Sequence, residues 1–129
     1  MVKKLYLLSI LIIILDRILK FYFSQNEFGI FQFKLNTGAA FGILKGWNWF
    51  LIVFSLIVIG VILYHRKNEK LELGMGFLLG GTISNLIDRA VYGGVIDYIK
   101  IDVLKNIFNL ADVANIIGAG VLIYYFWKE

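Results

Sequence analysis

The stretch LGMGFLLGGTISNLIDRAV, residues 73–91, decides the fold. It is apolar and rich in glycine over most of its length, and it ends in a polar group formed by Asn85, Asp88 and Arg89. A helix needs roughly 20 apolar residues to cross the hydrocarbon core of a membrane. Ionisable groups at membrane depth are costly and usually line a cavity. The stretch therefore predicts a membrane-spanning helix with a polar stripe near one end.

The rest of the chain has the same character. Its 129 residues are 60% hydrophobic and 17% charged, and the mean hydropathy is +0.79. A soluble domain is closer to half apolar and about a quarter charged. Residues 5–23, 47–64 and 109–127 form three further stretches of membrane-crossing length. We therefore expect an all-α membrane protein with four transmembrane helices, built as a single membrane-embedded domain over residues 1–129.

The first of these stretches also has features of a cleavable signal peptide, because Lys3 and Lys4 precede an apolar run. Asp16 and Arg17 interrupt the run, and residues 21–24 contain no small-x-small cleavage site. We therefore expect an uncleaved first helix.

Basic residues outside the four stretches predict the orientation. The chain ends and the short middle connection contain Lys3, Lys4, Arg66, Lys67, Lys70 and Lys128. The two longer connections contain Lys34, Lys45, Lys100 and Lys105. Because positive charge concentrates on the cytoplasmic side, both termini are expected there. The net charge of +4 then reflects topology and attraction to anionic membrane lipids, and no basic patch with interleaved aromatic residues indicates nucleic-acid binding.

The two longer connections each contain a segment that alternates apolar and polar residues. These segments are FQFKLN at residues 31–36 and YIKIDV at residues 98–103. Such alternation is typical of a half-buried strand. We expect a small extracytoplasmic sheet or hairpin on the outer membrane face.

The residue types available limit the possible chemistry. The chain has no cysteine and one histidine, His65. Thiol nucleophiles, cysteine-bound metals and the HExxH zinc site are therefore excluded. The four glutamates lie in polar connections or at the tail, where a solvated charge is expected: Glu27, Glu69, Glu72 and Glu129. The five aspartates, by contrast, all fall on the outer side of the predicted topology: Asp16, Asp88, Asp97, Asp102 and Asp112.

Spacing indicates which polar residues share a helix face. Asp16 and Lys20 are four residues apart, and Asn109 and Asp112 are three apart. Such stripes either build a site or hold the bundle together through ion pairs and hydrogen bonds, and for Asp16 and Lys20 both interpretations stay open.

Asp97 and Asp112 have no basic residue four positions away, and Lys100 would point away from Asp97 in an extended segment. If the two carboxyl groups approach each other, they share one proton near neutral pH. This is the arrangement that an aspartic protease uses to activate water, without metal or cofactor.

The order of these residues resembles lipoprotein signal peptidase, the bacterial signal peptidase II, over nearly the whole chain. Five blocks carry the resemblance: DRILK at residues 16–20, NTGAAFG at 36–42, GGTISNLIDR at 80–89, GVIDYI at 94–99 and FNLAD at 108–112. The resemblance implies an aspartic endopeptidase of the bacterial cytoplasmic membrane, with its active site near the outer face and a small sheet called a cradle. It also implies diacylglyceryl-modified prolipoprotein substrates, cleaved on the amino side of the lipidated cysteine, and inhibition by globomycin-type cyclic peptides that occupy the dyad.

The resemblance assigns roles to individual residues. Asp97 and Asp112 match the catalytic dyad. The matched positions that line the site or position the substrate are Asn36, Gly38, Asn85, Arg89 and Asn109; Asp16 and Lys20 match the first-helix pair, and Asp88 is expected to support Arg89. Two residues depart from the family pattern: Ser84 stands where many members have glycine, and Arg17 stands where an amide is common. Serine is expected to keep the close helix packing.

Two other functional classes would also use buried polar stripes. A small ion or proton conductor would use Asp16, Asp88 and Asp112 as a relay, but it needs polar groups that continue towards the cytoplasm. A scaffold subunit predicts that no single carboxylate is indispensable. Glycine pairs at 76 and 80 and at 118 and 120 are interpreted as close-packing faces.

Overall fold

The computed structural model describes residues 2–39, 43–104 and 106–129. The helices are α1 (Lys3–Phe23), α2 (Asn48–Tyr64), α3 (Glu72–Tyr92) and α4 (Leu110–Lys128), and the strands are β1 (Phe31–Asn36), β2 (Val95–Ile101) and β3 (Asn106–Phe108). Short 3-10 turns occupy Glu69–Leu71 and Asp102–Leu104. Each helix ends within two residues of its predicted stretch. The molecule is thus mostly helical, with one small sheet.

The sheet is antiparallel, with strand order β1-β2-β3. The prediction for residues 31–36 is confirmed. The strand predicted at residues 98–103 is wrong at both ends. The strand begins at Val95 and stops at Ile101, where the chain turns into the 3-10 segment. Alternation in the sequence continued into that turn, and β3 is too short to show alternation at all. Residues 40–42, the end of the NTGAAFG block, and Lys105 lie outside the described residues.

Helix α3 lies at the centre and packs against the three other helices. A Cβ atom on Gly80 would lie 2.9 Å from the Ser9 carbonyl oxygen of α1, and one on Gly118 would lie 2.7 Å from the Gly74 carbonyl oxygen. Gly76 likewise faces α1 closely. The packing role predicted for these glycines is confirmed, but for Gly120 it is wrong: this residue is exposed and faces open space.

The glutamate at the start of α3 has an unexpected role. Glu72 is buried, although the sequence predicts a solvated charge. Its Oε1 atom accepts the backbone N–H groups of Lys4 at 3.0 Å and Leu5 at 3.2 Å. These donors belong to the first turn of α1, whose own N-cap residue, Val2, makes no side-chain capping bond. Glu72 therefore caps α1 from another helix, a contact that only tertiary packing creates.

Replacing Glu72 by alanine is expected to lower the free energy of unfolding by about 0.5–2 kcal/mol, the usual range for loss of a helix cap. Two backbone donors would lose their acceptor. Thermal unfolding of the detergent-solubilised protein measures the effect. Glu69→Ala is the matched control, because Glu69 is exposed nearby. Equal destabilisation by both substitutions would contradict the capping role.

Large apolar side chains cover the outer surface of α1, α2 and α4; the most exposed include Leu7, Phe21, Trp49, Ile57, Ile123 and Trp127. By length and apolar composition, α4 alone among the described helices qualifies as a membrane span, while α2 is apolar over 17 residues. Helices α1 and α3 carry the charged and polar side chains of the candidate site.

The buried core at the other end of the bundle is apolar. Leu5, Ile62, Leu71, Met75 and Leu79 form one cluster there. Within the described residues, no chain of ionisable groups crosses this cluster. The arrangement therefore disfavours the proton-relay interpretation, which needs such a chain.

Candidate active site

A buried ionic cluster joins α1 to α3. Lys20 Nζ lies 2.6 Å from Asp16 Oδ2 and 2.8 Å from Asp88 Oδ2. Arg17 Nη2 lies 2.5 Å from Asp88 Oδ1. Asp16 and Asp88 are fully buried, and Lys20 is 2% exposed. The two positive and two negative charges of this cluster therefore balance, and of the four side chains only Arg17 is partly exposed. Such pairing is the condition under which buried charge is tolerated.

Asp16 also connects four structural elements. Its oxygens accept hydrogen bonds from Ser84 Oγ at 2.6 Å, Tyr98 Oη at 2.8 Å and the Ala111 backbone N–H at 3.3 Å. These donors lie on α3, β2 and α4 respectively. Tyr98 Oη in turn accepts the Leu110 backbone N–H at 2.9 Å. Asp16 therefore fixes the start of α4 relative to β2.

Asp88 contacts other residues than the sequence predicts. It pairs with Arg17 and Lys20, and its Oδ2 accepts the Ile96 backbone N–H at 3.0 Å. No hydrogen bond joins it to Arg89 in the described structure. Consecutive helix residues point in directions about 100° apart, so Asp88 and Arg89 face different neighbours. The direct contacts of Asp88 therefore lie within the ionic cluster, and its support of Arg89 stays a prediction.

Asp97 and Asp112 both contact one asparagine. Asn109 Nδ2 donates to Asp97 Oδ1 at 3.0 Å. The Asn109 backbone N–H donates to Asp112 Oδ2 at 3.2 Å, and Asn109 Oδ1 accepts the Asp112 N–H at 2.8 Å. The last two bonds form a capping box at the N-terminus of α4. The two carboxyl groups that the spacing left unpaired are thus held by the same residue, Asp97 through its side-chain amide and Asp112 through its backbone N–H.

The sheet register explains this placement. In the β2–β3 pair, Ile99 lies opposite Phe108. Asp97 is two residues before Ile99, and Asn109 directly follows Phe108. The hairpin therefore returns the chain to Asp97 at the residue where α4 begins. Strand pairing sets the position of Asp97, and helix capping sets that of Asp112.

Asn85 links the dyad to the ionic cluster. Its Nδ2 donates to Asp112 Oδ1 at 3.0 Å. Its Oδ1 accepts from Lys20 Nζ at 3.1 Å and from Asn109 Nδ2 at 3.0 Å. Both ends of this buried amide are occupied, so its orientation is fixed. Lys20 therefore acts on Asp112 through Asn85.

Residues at the end of β1 contact the dyad at Asp97. Asn36 Nδ2 donates to Asp97 Oδ2 at 3.2 Å, and Asn36 Oδ1 accepts the Gly38 N–H at 2.8 Å. Arg89 Nη2 donates to the Gly38 carbonyl at 3.4 Å. A Cβ atom on Gly38 would collide with the backbone of Ile43 and Lys45. The structure thus brings all ten predicted site residues into one connected region.

Asp97 is 1% exposed, and its environment changes its acidity. Burial raises the pKa of Asp97 to about 8, and the neighbouring charge of Asp112 raises it further in the same direction. The Asn36 hydrogen bond and the charges of Lys20 and Arg89 oppose this rise. Asp97 therefore retains its proton at neutral pH. Burial and the adjacent Asp16 also raise the pKa of Tyr98, which keeps its hydroxyl neutral.

A cavity of about 440 Å³ opens beside the dyad. It is lined by Ala39, Leu51, Phe54, Ser55, Val58, Leu78, Thr82, Asn85, Arg89, Asp112, Asn115, Ile116 and Ala119. Its polar end contains Asn85, Arg89 and Asp112, and most of the remaining wall is apolar. Arg89 Nε is buried and has no hydrogen-bond partner among the residues that the structure describes. Within the described residues, no group of three or more His, Asp or Glu side chains is placed to hold a metal ion.

Sequence reasoning missed several residues that support this region. Ser84 and Arg17 were noted only as departures from a pattern, yet both join the ionic cluster: Ser84 Oγ contacts Asp16, and Arg17 pairs with Asp88. Tyr98 was not singled out. Its position next to Asp97 was the available signal, but no local spacing indicates a contact with Asp16, 82 residues away.

Sequence similarity to known proteins identifies the family of this chain. The sequence profile of signal peptidase (SPase) II matches residues 8–128. The chain belongs to the signal peptidase II family. It is 32% identical over 139 aligned residues to the lipoprotein signal peptidase of Halothermothrix orenii, covering 96% of this chain and 95% of that protein. With the lipoprotein signal peptidase of Shouchella clausii it shares 36% identity over 135 residues, covering 92% and 89%.

Solved structures show the same fold. A bacterial membrane enzyme determined by the in meso method at 2.3 Å superposes with a TM-score of 0.83 at 26% identity, covering 95% of this chain and 86% of that one. A second, at 1.9 Å, gives 0.79 at 25% identity, covering 95% and 92%. This signal peptidase II family member is therefore a membrane peptidase, and the expected resemblance is confirmed.

Proposed function

We propose that this chain is an intramembrane aspartic endopeptidase that removes signal peptides from diacylglyceryl-modified bacterial prolipoproteins, cleaving on the amino side of the lipidated cysteine. The observation that carries the proposal is the pair Asp97 and Asp112, held by Asn109 beside a largely apolar cavity. An apolar cavity suits a lipidated, hydrophobic substrate. Family membership and the names of the relatives support the same substrate class.

The proposed mechanism divides two roles between the carboxyl groups. Asp112, at the N-terminus of α4, keeps the negative charge and takes a proton from water as the water oxygen attacks the scissile carbonyl carbon. Asp97 donates its proton to the carbonyl oxygen, giving a neutral diol. The leaving amine then takes the proton from Asp112 while the C–N bond breaks, and the diol returns a proton to Asp97. The dyad ends as it began, without a covalent intermediate.

The supporting residues have defined tasks in this scheme. Asn85, Asn36 and Asn109 orient the two carboxyl groups through the hydrogen bonds described above. Arg89 lines the cavity, and its Nε has no partner within the described part of the chain, so this side chain is assigned to binding a substrate oxygen. Asp16, Lys20 and Asp88 hold the helices around the dyad.

We also propose a topology of four spans in the bacterial cytoplasmic membrane, forming one domain over residues 1–129, with both termini in the cytoplasm and the sheet and dyad at the outer face. The apolar outer surfaces of α1, α2 and α4 support it. So does the distribution of Lys and Arg. Asp16 and Lys20 of α1 and Asp88 of α3, which reduce the apolar character of these helices, are buried in the ionic cluster, where lipid does not contact them.

The decisive assay uses purified protein with a diacylglyceryl-modified prolipoprotein and with the same prolipoprotein lacking the lipid. We expect release of signal peptide from the lipidated form only, block by a globomycin-type peptide, and no loss of activity with a chelator. Cleavage of neither form by well-folded protein would overturn the proposal.

Activity is expected to fall as pH rises through about 8, because the pKa of Asp97 lies there and the scheme needs its proton. Above that pH Asp97 is ionised and no longer holds the proton that the carbonyl oxygen must receive. The free energy of unfolding also falls as pH rises. Folded Asp97 keeps its proton up to a pKa of about 8, whereas the unfolded carboxyl loses it above pH 3.8, so stability decreases between these two pH values. A pH profile of kcat/KM reports the apparent pKa values of the carboxyl pair in the free enzyme. Asn36→Ala removes a bond to ionised Asp97, so it should move the alkaline limb upward; a downward move would contradict this assignment.

A further inference from the structure

The cavity wall contains a polar pair on the side of Asp112 that faces away from the sheet. Asp112 and Asn115 are three residues apart on α4, so both lie on the same helix face, and both line the cavity. Across the contact between α3 and α4, Thr82 Oγ1 donates to Asn115 Oδ1 at 3.4 Å. Neither Thr82 nor Asn115 takes part in the dyad network described above.

The packing of α3 orients the Asn115 amide. A Cβ atom on Gly81 would collide with Asn115 Oδ1 and with the Ala111 carbonyl. Glycine at this position therefore makes room for the oxygen end of the amide against α3. The nitrogen end, Nδ2, makes no hydrogen bond with any residue that the structure describes. It is therefore a donor available to a molecule in the cavity.

The surroundings of this donor are apolar. The nearby lining residues include Val58, Leu78 and Ala119. The hydroxyl of Ser55, also on the wall, is already used, because it donates to the Leu51 carbonyl at 2.8 Å. Polar groups facing such environments are nearly always hydrogen-bonded, either by protein, by water or by a ligand. An acceptor supplied by the bound substrate would satisfy Asn115.

We propose that Asn115 is a specificity-determining residue whose Nδ2 donates a hydrogen bond to a carbonyl oxygen of the bound substrate. The inference rests on the proposed function. The carbonyl belongs either to an acyl ester of the diacylglyceryl group or to the peptide backbone of the signal peptide. Both carbonyls are attached within a few bonds of the lipidated cysteine. Asp112, on the same helix face as Asn115, acts on the peptide bond at the amino side of that cysteine.

The test compares steady-state kinetics of Asn115→Leu with the wild type on a lipidated prolipoprotein. Leucine has a similar size but no donor. We expect KM to rise about tenfold, as for loss of one hydrogen bond to substrate, while kcat changes less than twofold. Ile117→Leu alters an exposed α4 side chain outside the cavity lining without changing polarity, and it should leave both constants unchanged. Asn115→Asp keeps an acceptor for Thr82 but removes the donor, so it should raise KM as well and decides the question if the leucine variant is unstable.

A substrate with dialkyl ether chains in place of acyl esters separates the two sources. If the ester carbonyl is bound, the wild type shows the raised KM on the ether substrate and Asn115→Leu adds nothing further. If a peptide carbonyl is bound, the wild type treats both substrates alike and the variant raises KM for both. Unchanged KM in both Asn115 variants, with an active wild type, overturns this inference alone. An inactive wild type overturns the proposed function and this inference with it.

Discussion

Replacing Asp97 or Asp112 by asparagine is expected to lower kcat for prolipoprotein cleavage by roughly a thousandfold or more. Each substitution removes either the proton donor or the water-activating base, and a positioned acid or base contributes about 10²–10⁴-fold to a reaction. Asparagine has nearly the same shape as aspartate, and its side-chain oxygen can still accept the hydrogen bond that Asn109 donates. The helices and the sheet should therefore remain folded, so the loss belongs to the chemistry.

The matched control is Asp102→Asn. Asp102 is an exposed carboxylate in the 3-10 segment after β2, five residues from Asp97 but outside the dyad network. It should keep wild-type activity. Thermal unfolding of all three variants, measured with cleavage of the lipidated substrate, separates inactive from unfolded protein. Full activity in a folded Asp97→Asn/Asp112→Asn double variant would eliminate the aspartic mechanism and restore the scaffold interpretation.

Replacing Lys20 by methionine is expected to reduce the free energy of unfolding by about 3–5 kcal/mol, the usual cost of removing one partner of a buried ion pair. Lys20 Nζ is the group that neutralises Asp16, and it also contacts Asp88. Methionine fills similar volume but leaves uncompensated buried charge. It also removes the donor to Asn85 Oδ1, so the orientation of Asn85 towards Asp112 is lost and kcat should fall as well.

A double-mutant cycle tests the electrostatic origin of this effect. Asp16→Asn removes the partner charge, and the Lys20→Met/Asp16→Asn variant should lose less stability than the sum of the two single losses. Lys34→Met is the control, because Lys34 is an exposed lysine on β1. Chemical or thermal unfolding in detergent gives the values. If Lys20→Met stayed within about 1 kcal/mol of the wild type, the cluster would not be the stabilising element argued here.

The four helices and most of their ends were predictable because they depend on local properties. Long apolar stretches form helices whatever their neighbours are, and the pairing of Asp16 with Lys20 needs only four-residue spacing. The capping relation between Asn109 and Asp112 is local for the same reason. The first strand also followed from alternation.

Predictions that depended on distant neighbours were less successful. Glu72 caps another helix instead of facing water. Gly120 has the spacing of a packing residue but faces away from α3. In each case the sequence shows the residue type and its helix position, whereas the partner depends on how the helices pack.

By itself, the amino-acid sequence determined that this is a membrane protein, where its helices lie and which side chains are available for chemistry. These properties depend on composition and on spacing within a few residues. Only the tertiary structure decided that Asp97 and Asp112 meet at Asn109, that Tyr98 and Ser84 both bind Asp16, and that Asn115 Nδ2 has no hydrogen-bond partner among the described residues. These contacts join residues from different elements. They follow from strand register and from the close approach of helices at glycines, where backbone packing leaves one arrangement for the buried polar groups.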